Sequence, residues 1–387
     1  MDENCPTRRA DAADGRTSQI HLLLLLFGLI AVAEAWAYAG QNGPAFSDFF
    51  GIWSWSRFIA LEGTATLYDP AALHRFQQAL DPLYTDQHYP FLYPPTYLLL
   101  IWPLAHLPLG AARWLWSGAT LAAFLLALAG PRWRPRLLVA GLVAPATVLC
   151  LICGQNGLLT AALMIGGLRN ASARPILGGA LLGLLTYKPH LAALVPVALI
   201  AAGLWRCLAA AAVTAALCVA ATSLLFGADL WARWLGAQSA DWATIDSFIA
   251  THLGMIPTVS AALRQLGCGS VLAATGQCIA TVAAAGSLWI LGRRGLLLTA
   301  MPVAALLATP YAFLYDLPML SGAALIALME RDRSPLTIAL LGSALLLPQL
   351  MFDLQGGTLP MAAPLLVLLL LWLLLPTSTR PLAGTPA

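Results

Sequence analysis

Apolar segments recur along almost the whole chain, and many are separated by short loops that carry arginine. LLLLLF at 22–27 and PLLVLLLLWLLL at 364–375 are the most apolar of these runs. Of the 387 residues, 60% are hydrophobic and only 10% are charged, whereas soluble domains carry about 25% charged residues. Helices satisfy their own backbone hydrogen bonds inside a bilayer. The pattern therefore predicts an all-α polytopic membrane protein.

The positions of the arginines decide how many segments count as spans, because cytoplasmic loops carry an excess of Lys and Arg. If segment 91–107 crosses the membrane, the RWRPR loop at 132–136 and the later arginine clusters all fall outside. If 91–107 does not cross, fourteen of the twenty cations fall inside. Its prolines also disfavour a straight helix. We therefore interpret 91–107 as a juxtamembrane helix in the outer interface.

This count predicts twelve transmembrane helices in one membrane domain, 18–375, with both termini in the cytoplasm. A disordered N-terminal segment, 1–17, precedes the domain and a cytoplasmic tail, 376–387, follows it. The first extracytoplasmic loop, 40–110, is the longest and is expected to carry juxtamembrane helices, one of them an amphipathic, Trp-rich helix at 49–61. The predicted spans are 18–39, 111–129, 137–152, 157–169, 176–187, 190–203, 207–226, 270–291, 296–310, 317–330, 335–350 and 361–375.

Lys188 is the only lysine of the chain and lies in the apolar stretch GALLGLLTYKPHLAALVPVALIA. A charge at membrane depth is costly unless it faces protein or water, so such a residue indicates a functional site. The alternative is a lysine that snorkels to the interface. In an outward-facing cavity, its ammonium suits the anionic phosphate of a lipid headgroup. His190, two residues later, is grouped with the substrate-binding candidates, although a structural role is the alternative for it.

Two more polar turns fall on the same, outward side of the predicted topology. The GQNG turn at 154–157 contributes Gln155 and Asn156, whose carboxamides either satisfy helix ends or bind sugar hydroxyls. The segment ATPYAFLYDLPML contributes Tyr315 and Asp316 between two prolines. The hairpins around GQNG and around YKPH at 187–190 are made of the shortest segments, so we expect these two turns to be recessed and to line a polar cavity.

Asp48 follows the first predicted span in GPAFSDFFGIWSWSRFIALEG. It either caps the helix that begins there or acts as a general base at the membrane surface. The chain has no Walker, GxGxxG or HExxH motif, and its histidines lack metal-ligand spacing. We therefore predict no metal and no cofactor. The arginines are spread over membrane-flanking loops, so no nucleic-acid partner is expected either.

An ordered set of segments carries a family resemblance. SDFFGIWSWSRFIALEGTATLYDP, YPPTYLLLIWPLAHLPLGAARWLW, GQNGLLTAALMIGGL, GLLTYKPHLAALVPVAL and ATPYAFLYDLPML follow one another over roughly residues 40–330. The set resembles glycosyltransferase family 87, formerly DUF2029. That family is similar to other GT-C membrane glycosyltransferases, including polyprenol-phosphate-mannose-dependent mannosyltransferases.

The resemblance implies a GT-C-like enzyme that moves a hexose, mannose-like, from a polyprenyl-phosphate donor to an extracytoplasmic glycan or glycolipid acceptor. It implies a multi-pass protein of the bacterial plasma (inner) membrane, surrounded by membrane lipids, with its active site on the extracytoplasmic side. Asp48 matches the family's acidic residue after the first span. Relatives carry Trp and His after the late proline, where this chain has Tyr311, Phe313, Tyr315 and Asp316, so no histidine role is carried over.

These expectations suggest a mechanism in which Lys188 stabilises the departing phosphate and Asp48 takes the proton of the acceptor hydroxyl. The alternative class is a polytopic lipid or solute transporter without transferase activity. Twelve spans and an intramembrane lysine suit that class as well, whereas the long first loop and the lack of an internal repeat favour the transferase.

Overall fold

The computed structural model describes residues 26, 28–30, 32–33, 48–80, 89–130, 134–240, 249–330, 334–354 and 359–376. The predicted segment 1–17, most of the predicted span 18–39 and nearly all of the predicted tail 376–387 lie outside the described residues. Within the described part, the regular structure is helical, as predicted. The α-helices are α1 Asp48–Leu61, α2 Pro70–Leu80, α3 Leu98–Ile101, α4 Leu109–Ala129, α5 Pro135–Val143, α6 Pro145–Cys153, α7 Gly157–Asn170, α8 Pro175–Gly183, α9 Pro189–Ala192, α10 Val195–Ala201, α11 Trp205–Phe226, α12 Asp229–Ala240, α13 Val259–Gln265, α14 Ser270–Arg293, α15 Leu297–Ala308, α16 Pro318–Glu330, α17 Pro335–Asp353 and α18 Ala362–Leu374.

Four of the described helices, α4, α11, α14 and α17, are long and apolar enough to cross a membrane. Helices α5 and α6 together meet the same criterion but are bent by 53°. The bend falls at Ala144, which has extended backbone angles because the residue before a proline disfavours the helical region. The apolar helices α8 to α10, α15, α16 and α18 are shorter and coincide with predicted spans. These apolar helices indicate a helical membrane protein. The count of twelve transmembrane helices stays a prediction.

Segment 91–107 does not form a continuous spanning helix. It consists of a 3₁₀ turn at Pro95–Tyr97, the four-residue helix α3, and a second 3₁₀ turn at Trp102–His106. Prolines open both turns, since a proline cannot donate the backbone hydrogen bond that a longer helix needs. Tyr97, Leu98 and Ile101 are fully buried. The segment therefore lacks the continuous helix of a straight span, and its place in the outer interface stays a prediction.

Helix α1 differs from the one-faced, amphipathic helix that its sequence predicts. Nine of its fourteen residues are buried, and they include the consecutive run from Phe49 to Ile52. Its indole groups donate hydrogen bonds to backbone carbonyls of the same loop, from Trp53 Nε1 to Leu107 O at 2.9 Å and from Trp55 Nε1 to Tyr89 O at 2.9 Å. The helix is therefore embedded in protein on most sides.

The core that surrounds the candidate site is built by α7, α15 and α16, whose described side chains are almost all buried. Close helix contacts depend on glycine. A Cβ at Gly179 of α8 would lie 2.3 Å from the Cys207 carbonyl oxygen of α11, and one at Gly183 would lie 2.5 Å from the Ala211 oxygen. Two small residues four apart allow helices to approach closely in membrane proteins. This contact fixes the helix that leads to Lys188.

Candidate active site

The GQNG turn lies between the start of α1 and the 3₁₀ turn Leu314–Asp316. Gly154 has a φ of +70°, and a Cβ there would lie 2.5 Å from the Phe49 Cβ. A Cβ at Gly157 would lie 1.6 Å from the Tyr315 carbonyl oxygen. Both glycines are thus required, one by its backbone conformation and both by contact. The turn therefore joins segments that are far apart in sequence.

Gln155 connects this turn to Asp48. Its Nε2 donates to the Asp48 Oδ2 at 3.0 Å. Asp48 lies in the first turn of α1 and is partly buried, and in the described part of the chain no cation lies within ion-pair distance of it. Burial raises the pKa of the Asp48 carboxyl, while the hydrogen bond from Gln155 and the charge of His252 lower it. A carboxylate with a raised pKa is a stronger base.

Asn156 connects the same turn to Lys188. Lys188 Nζ donates to the Asn156 Oδ1 at 2.7 Å and also to the Asp316 Oδ1. The ammonium lies 5.3 Å from the centre of the Tyr315 ring. The side chains of Lys188 and Asp316 are only 3% and 1% exposed, so they form a buried ion pair. A lysine buried in this way does not snorkel, and that alternative is wrong.

Asp316 is held at both oxygens. While Oδ1 accepts from Lys188, Oδ2 accepts from the Phe313 backbone N–H at 3.1 Å. The second bond closes the 3₁₀ turn, which lies between Pro310 and Pro318. The two carboxylates of the site therefore have different surroundings: Asp48 has an amide donor, and Asp316 has the ammonium.

Three stacked tyrosines lie behind Asn156. The rings of Tyr93 and Tyr97 have centroids 4.2 Å apart, and those of Tyr97 and Tyr187 are 5.3 Å apart. Asn156 Nδ2 donates to the Tyr93 hydroxyl at 2.8 Å and to the Tyr97 hydroxyl at 3.2 Å. The orientation of this amide is determined, because a lysine ammonium can only donate and must face the amide oxygen. Burial raises the pKa of Tyr93, so its hydroxyl stays protonated and can donate a hydrogen bond.

The structure brings Asp48, Gln155, Asn156, Lys188, Tyr315 and Asp316 into one connected network.

Two histidines lie at the edge of this network. The His190 ring faces Tyr311 with centroids 6.4 Å apart, and His252, which the sequence reasoning missed, lies 6.2 Å from the Phe313 ring. The sequence analysis also did not select the stacked tyrosines, although Tyr93 and Tyr97 lie in the motif YPPTY and Tyr187 lies in the motif YKPH. His252 follows no motif.

No group of three His, Cys, Asp or Glu side chains that could hold a metal occurs among the described residues. Absence of a metal requirement therefore stays a prediction. The network instead offers a base, a buried cation and several amide and hydroxyl groups. This set suits the transfer of a group from an anionic leaving group to a hydroxyl.

Part of the chain is similar to a known protein. A 120-residue stretch is 29% identical to a polyprenol-phosphate-mannose-dependent alpha-(1-2)-phosphatidylinositol pentamannoside mannosyltransferase of Mycobacterium tuberculosis. That stretch is 30% of this chain and 24% of the relative, so the match spans about a quarter of the relative's length. No solved structure matches the chain.

The family comparison covers much more of the molecule. The model of glycosyltransferase family 87 matches residues 91–315, which is more than half of the chain. The matched range includes the tyrosine stack, the GQNG turn, Lys188 and Tyr315, whereas Asp48 precedes it and Asp316 follows it by one residue. Together with the apolar helices, the match supports a membrane glycosyltransferase. By this match, the chain belongs to glycosyltransferase family 87.

Proposed function

We propose that the protein transfers a mannose-like hexose from a polyprenyl-phosphate donor to a hydroxyl of an extracytoplasmic glycan or glycolipid. The observation that carries this proposal is the single turn at 154–157, which holds a basic carboxylate through Gln155 and a buried cation through Asn156. The name of the mycobacterial relative supports the lipid-linked mannose donor. The arginine distribution supports an active site on the extracytoplasmic side of the membrane, and the organism of the relative supports a bacterial plasma membrane.

Asp48 is the general base in this proposal. The acceptor hydroxyl must lose a proton as its oxygen attacks the anomeric carbon, and a carboxylate with a raised pKa accepts that proton well. Asp316 is the weaker candidate, because its charge is already balanced by Lys188. Two carboxylates in unlike surroundings are a common basis for unlike roles in one site.

Lys188 stabilises the leaving group in this proposal. As the bond between the sugar and the phosphate breaks, negative charge accumulates on the phosphate oxygens. An ammonium in a water-poor site stabilises that charge more strongly than it would in water. Asn156 orients the ammonium by accepting one of its protons. The hydroxyl of Tyr93 and the amide of Gln155 are further groups that suit sugar hydroxyls.

Asp48→Asn tests the assignment of the base. The asparagine keeps the size of the side chain and still favours a helix N-terminus, so the protein should fold. Its amide cannot accept the proton, so transfer should fall about 10²–10⁴-fold. Transfer is measured with a radiolabelled polyprenyl-phosphate mannose in reconstituted protein, with a glycolipid acceptor supplied.

Asp69→Asn is the matched control, because Asp69 caps α2 in the same loop through its Oδ1, which accepts from Ala71 N at 2.9 Å. This variant should transfer normally. Full activity of purified Asp48→Asn removes Asp48 from the site. Translocation of a labelled lipid or solute by wild-type protein, without any sugar transfer, would establish the transporter alternative.

A further inference from the structure

A buried lysine must have a counter-ion at every stage of a reaction. Removing one partner of a buried pair leaves an uncompensated charge, which is strongly destabilising. In this site the side chains of Lys188 and Asp316 are almost completely buried, and within the described residues Asp316 is the one carboxylate paired with Lys188. Asp316 therefore neutralises the cation while the site is empty.

The donor and the product differ in charge at the group that Lys188 would bind. A sugar-linked polyprenyl phosphate is a phosphodiester with one negative charge. The polyprenyl monophosphate left after transfer carries about −1.5 to −2 charges at neutral pH, like other monoesters. The attraction to an ammonium grows with that charge. A site with a free cation would thus bind its own product more tightly than its donor.

We propose that Asp316 is an internal counter-ion that exchanges with the lipid phosphate at Lys188. The phosphate displaces the Asp316 carboxylate when the donor binds, and the return of Asp316 to Lys188 helps to expel the product phosphate. Asp316 is a positioning residue in this scheme, because it does not touch the reacting atoms. The inference rests on the proposed function, which places the donor phosphate at Lys188.

The geometry around the pair suits an exchange. Asp316 stays anchored through its second oxygen to the Phe313 N–H, so its other oxygen can give up the hydrogen bond to Lys188 without loss of the turn. The carboxylate then remains near the ammonium, whose charge it shares with the phosphate. Asn156 keeps its hydrogen bond to the ammonium at 2.7 Å. His190 Nε2 is buried and, in the described part of the chain, has no hydrogen-bond partner. It lies within electrostatic range of both charges and would donate to a phosphate oxygen.

The wild-type protein allows a direct test, because Lys188 is the only lysine of the chain. Protein labelled with ¹⁵N-lysine and placed in lipid nanodiscs should give one side-chain ammonium signal. We expect undecaprenyl phosphate to shift this Nζ signal in a saturable way and undecaprenol to leave it unchanged. An Nζ signal that is insensitive to the phosphate lipid overturns the exchange. This measurement does not depend on the folding of any variant.

Asp316→Asn provides the second test. Loss of the competing carboxylate should tighten the binding of undecaprenyl phosphate about tenfold, the effect of one charge-assisted hydrogen bond, and leave the binding of undecaprenol unchanged. Asp229→Asn is the control, since Asp229 forms an exposed ion pair with Arg233 away from Lys188. Unchanged or weaker phosphate binding by folded Asp316→Asn contradicts the proposal.

The two proposals fail in different ways. Binding of undecaprenyl phosphate is measured without an acceptor, so it does not involve the base. A negative result here leaves the role of Asp48 intact, whereas normal transfer by Asp48→Asn leaves the exchange at Lys188 intact. Loss of phosphate binding in Lys188→Ala is expected under both proposals. Undiminished binding in that variant would remove Lys188 from the phosphate site altogether.

Discussion

Asp48 and Asp316 show how differently one residue type can be used in a single site. Asp48 accepts a hydrogen bond from a neutral amide and is partly buried, whereas Asp316 is paired with an ammonium and fully buried. The first arrangement preserves basicity, because burial raises the pKa of Asp48 while, among the described residues, a hydrogen bond from Gln155 and a nearby histidine charge lower it. The second arrangement supplies a fixed negative charge.

The raised pKa of Asp48 predicts a particular pH dependence. A base works only when deprotonated, so kcat/KM should fall as the pH decreases through the pKa of Asp48, which lies above the ordinary value of about 3.9. Gln155→Ala removes a hydrogen bond that lowers this pKa, so the acid limb of the profile should move to higher pH. Gln238→Ala, which removes a hydrogen bond to the Leu92 carbonyl, is the control. An acid limb that does not move in Gln155→Ala argues against Asp48 as the titrating base.

At the residue scale, the sequence predicted most of the polar network but not its pairings. Lone polar residues in apolar segments stand out, which is why Asp48, Gln155, Asn156, Lys188 and Asp316 could be selected. The partner of Lys188 could not be predicted, because 128 residues separate the pair in sequence. The tyrosines were missed because aromatic residues in apolar segments are usually core packing.

At the scale of elements, the close contact between the start of α7 and the turn Leu314–Asp316 gives the next prediction. A Cβ in Gly157→Ala would lie 1.6 Å from a backbone oxygen that cannot rotate away, so the segments must separate. We expect a loss of stability of about 1–3 kcal/mol or more, typical of overpacking, and loss of transfer. Thermal unfolding in detergent measures the first effect.

Gly118 of α4 provides the control for this substitution. A Cβ there has nothing within 4 Å, and alanine is a better helix former than glycine by about 1 kcal/mol. Gly118→Ala should therefore be neutral or stabilising. If Gly157→Ala is equally well tolerated, the two segments do not touch as closely as the structure places them.

Helix positions were largely predictable, since apolar segments of the chain coincide with α4 to α11 and α14 to α18. Breaks were predictable where a proline causes them, as in 91–107. The surroundings of α1 were not, because Trp and Phe are enriched both at membrane interfaces and in protein cores. Burial depends on the neighbours of a helix, and here those neighbours come both from the same loop and from the GQNG turn.

At the scale of the whole molecule, the prediction to test is which loops lie on which side of the membrane. In a cysteine-free background, Glu62→Cys in the first loop should react with an impermeant maleimide added outside, because Glu62 is exposed. Trp133→Cys in the arginine-rich loop should react only after permeabilisation, since such loops favour the cytoplasm. Labelling of position 133 from outside would make 91–107 a span and reverse the topology beyond it.

The deep burial of α1 has a consequence for how this protein can diversify. A loop that lies on a surface can be exchanged between relatives as a module, because its removal leaves the scaffold intact. The first loop here cannot be exchanged in that way, since α1 contributes both a wall of the interior and the residue Asp48. Point changes at exposed positions of this loop should therefore be tolerated, whereas chimaeras that swap residues 48–107 as a block should fail to assemble.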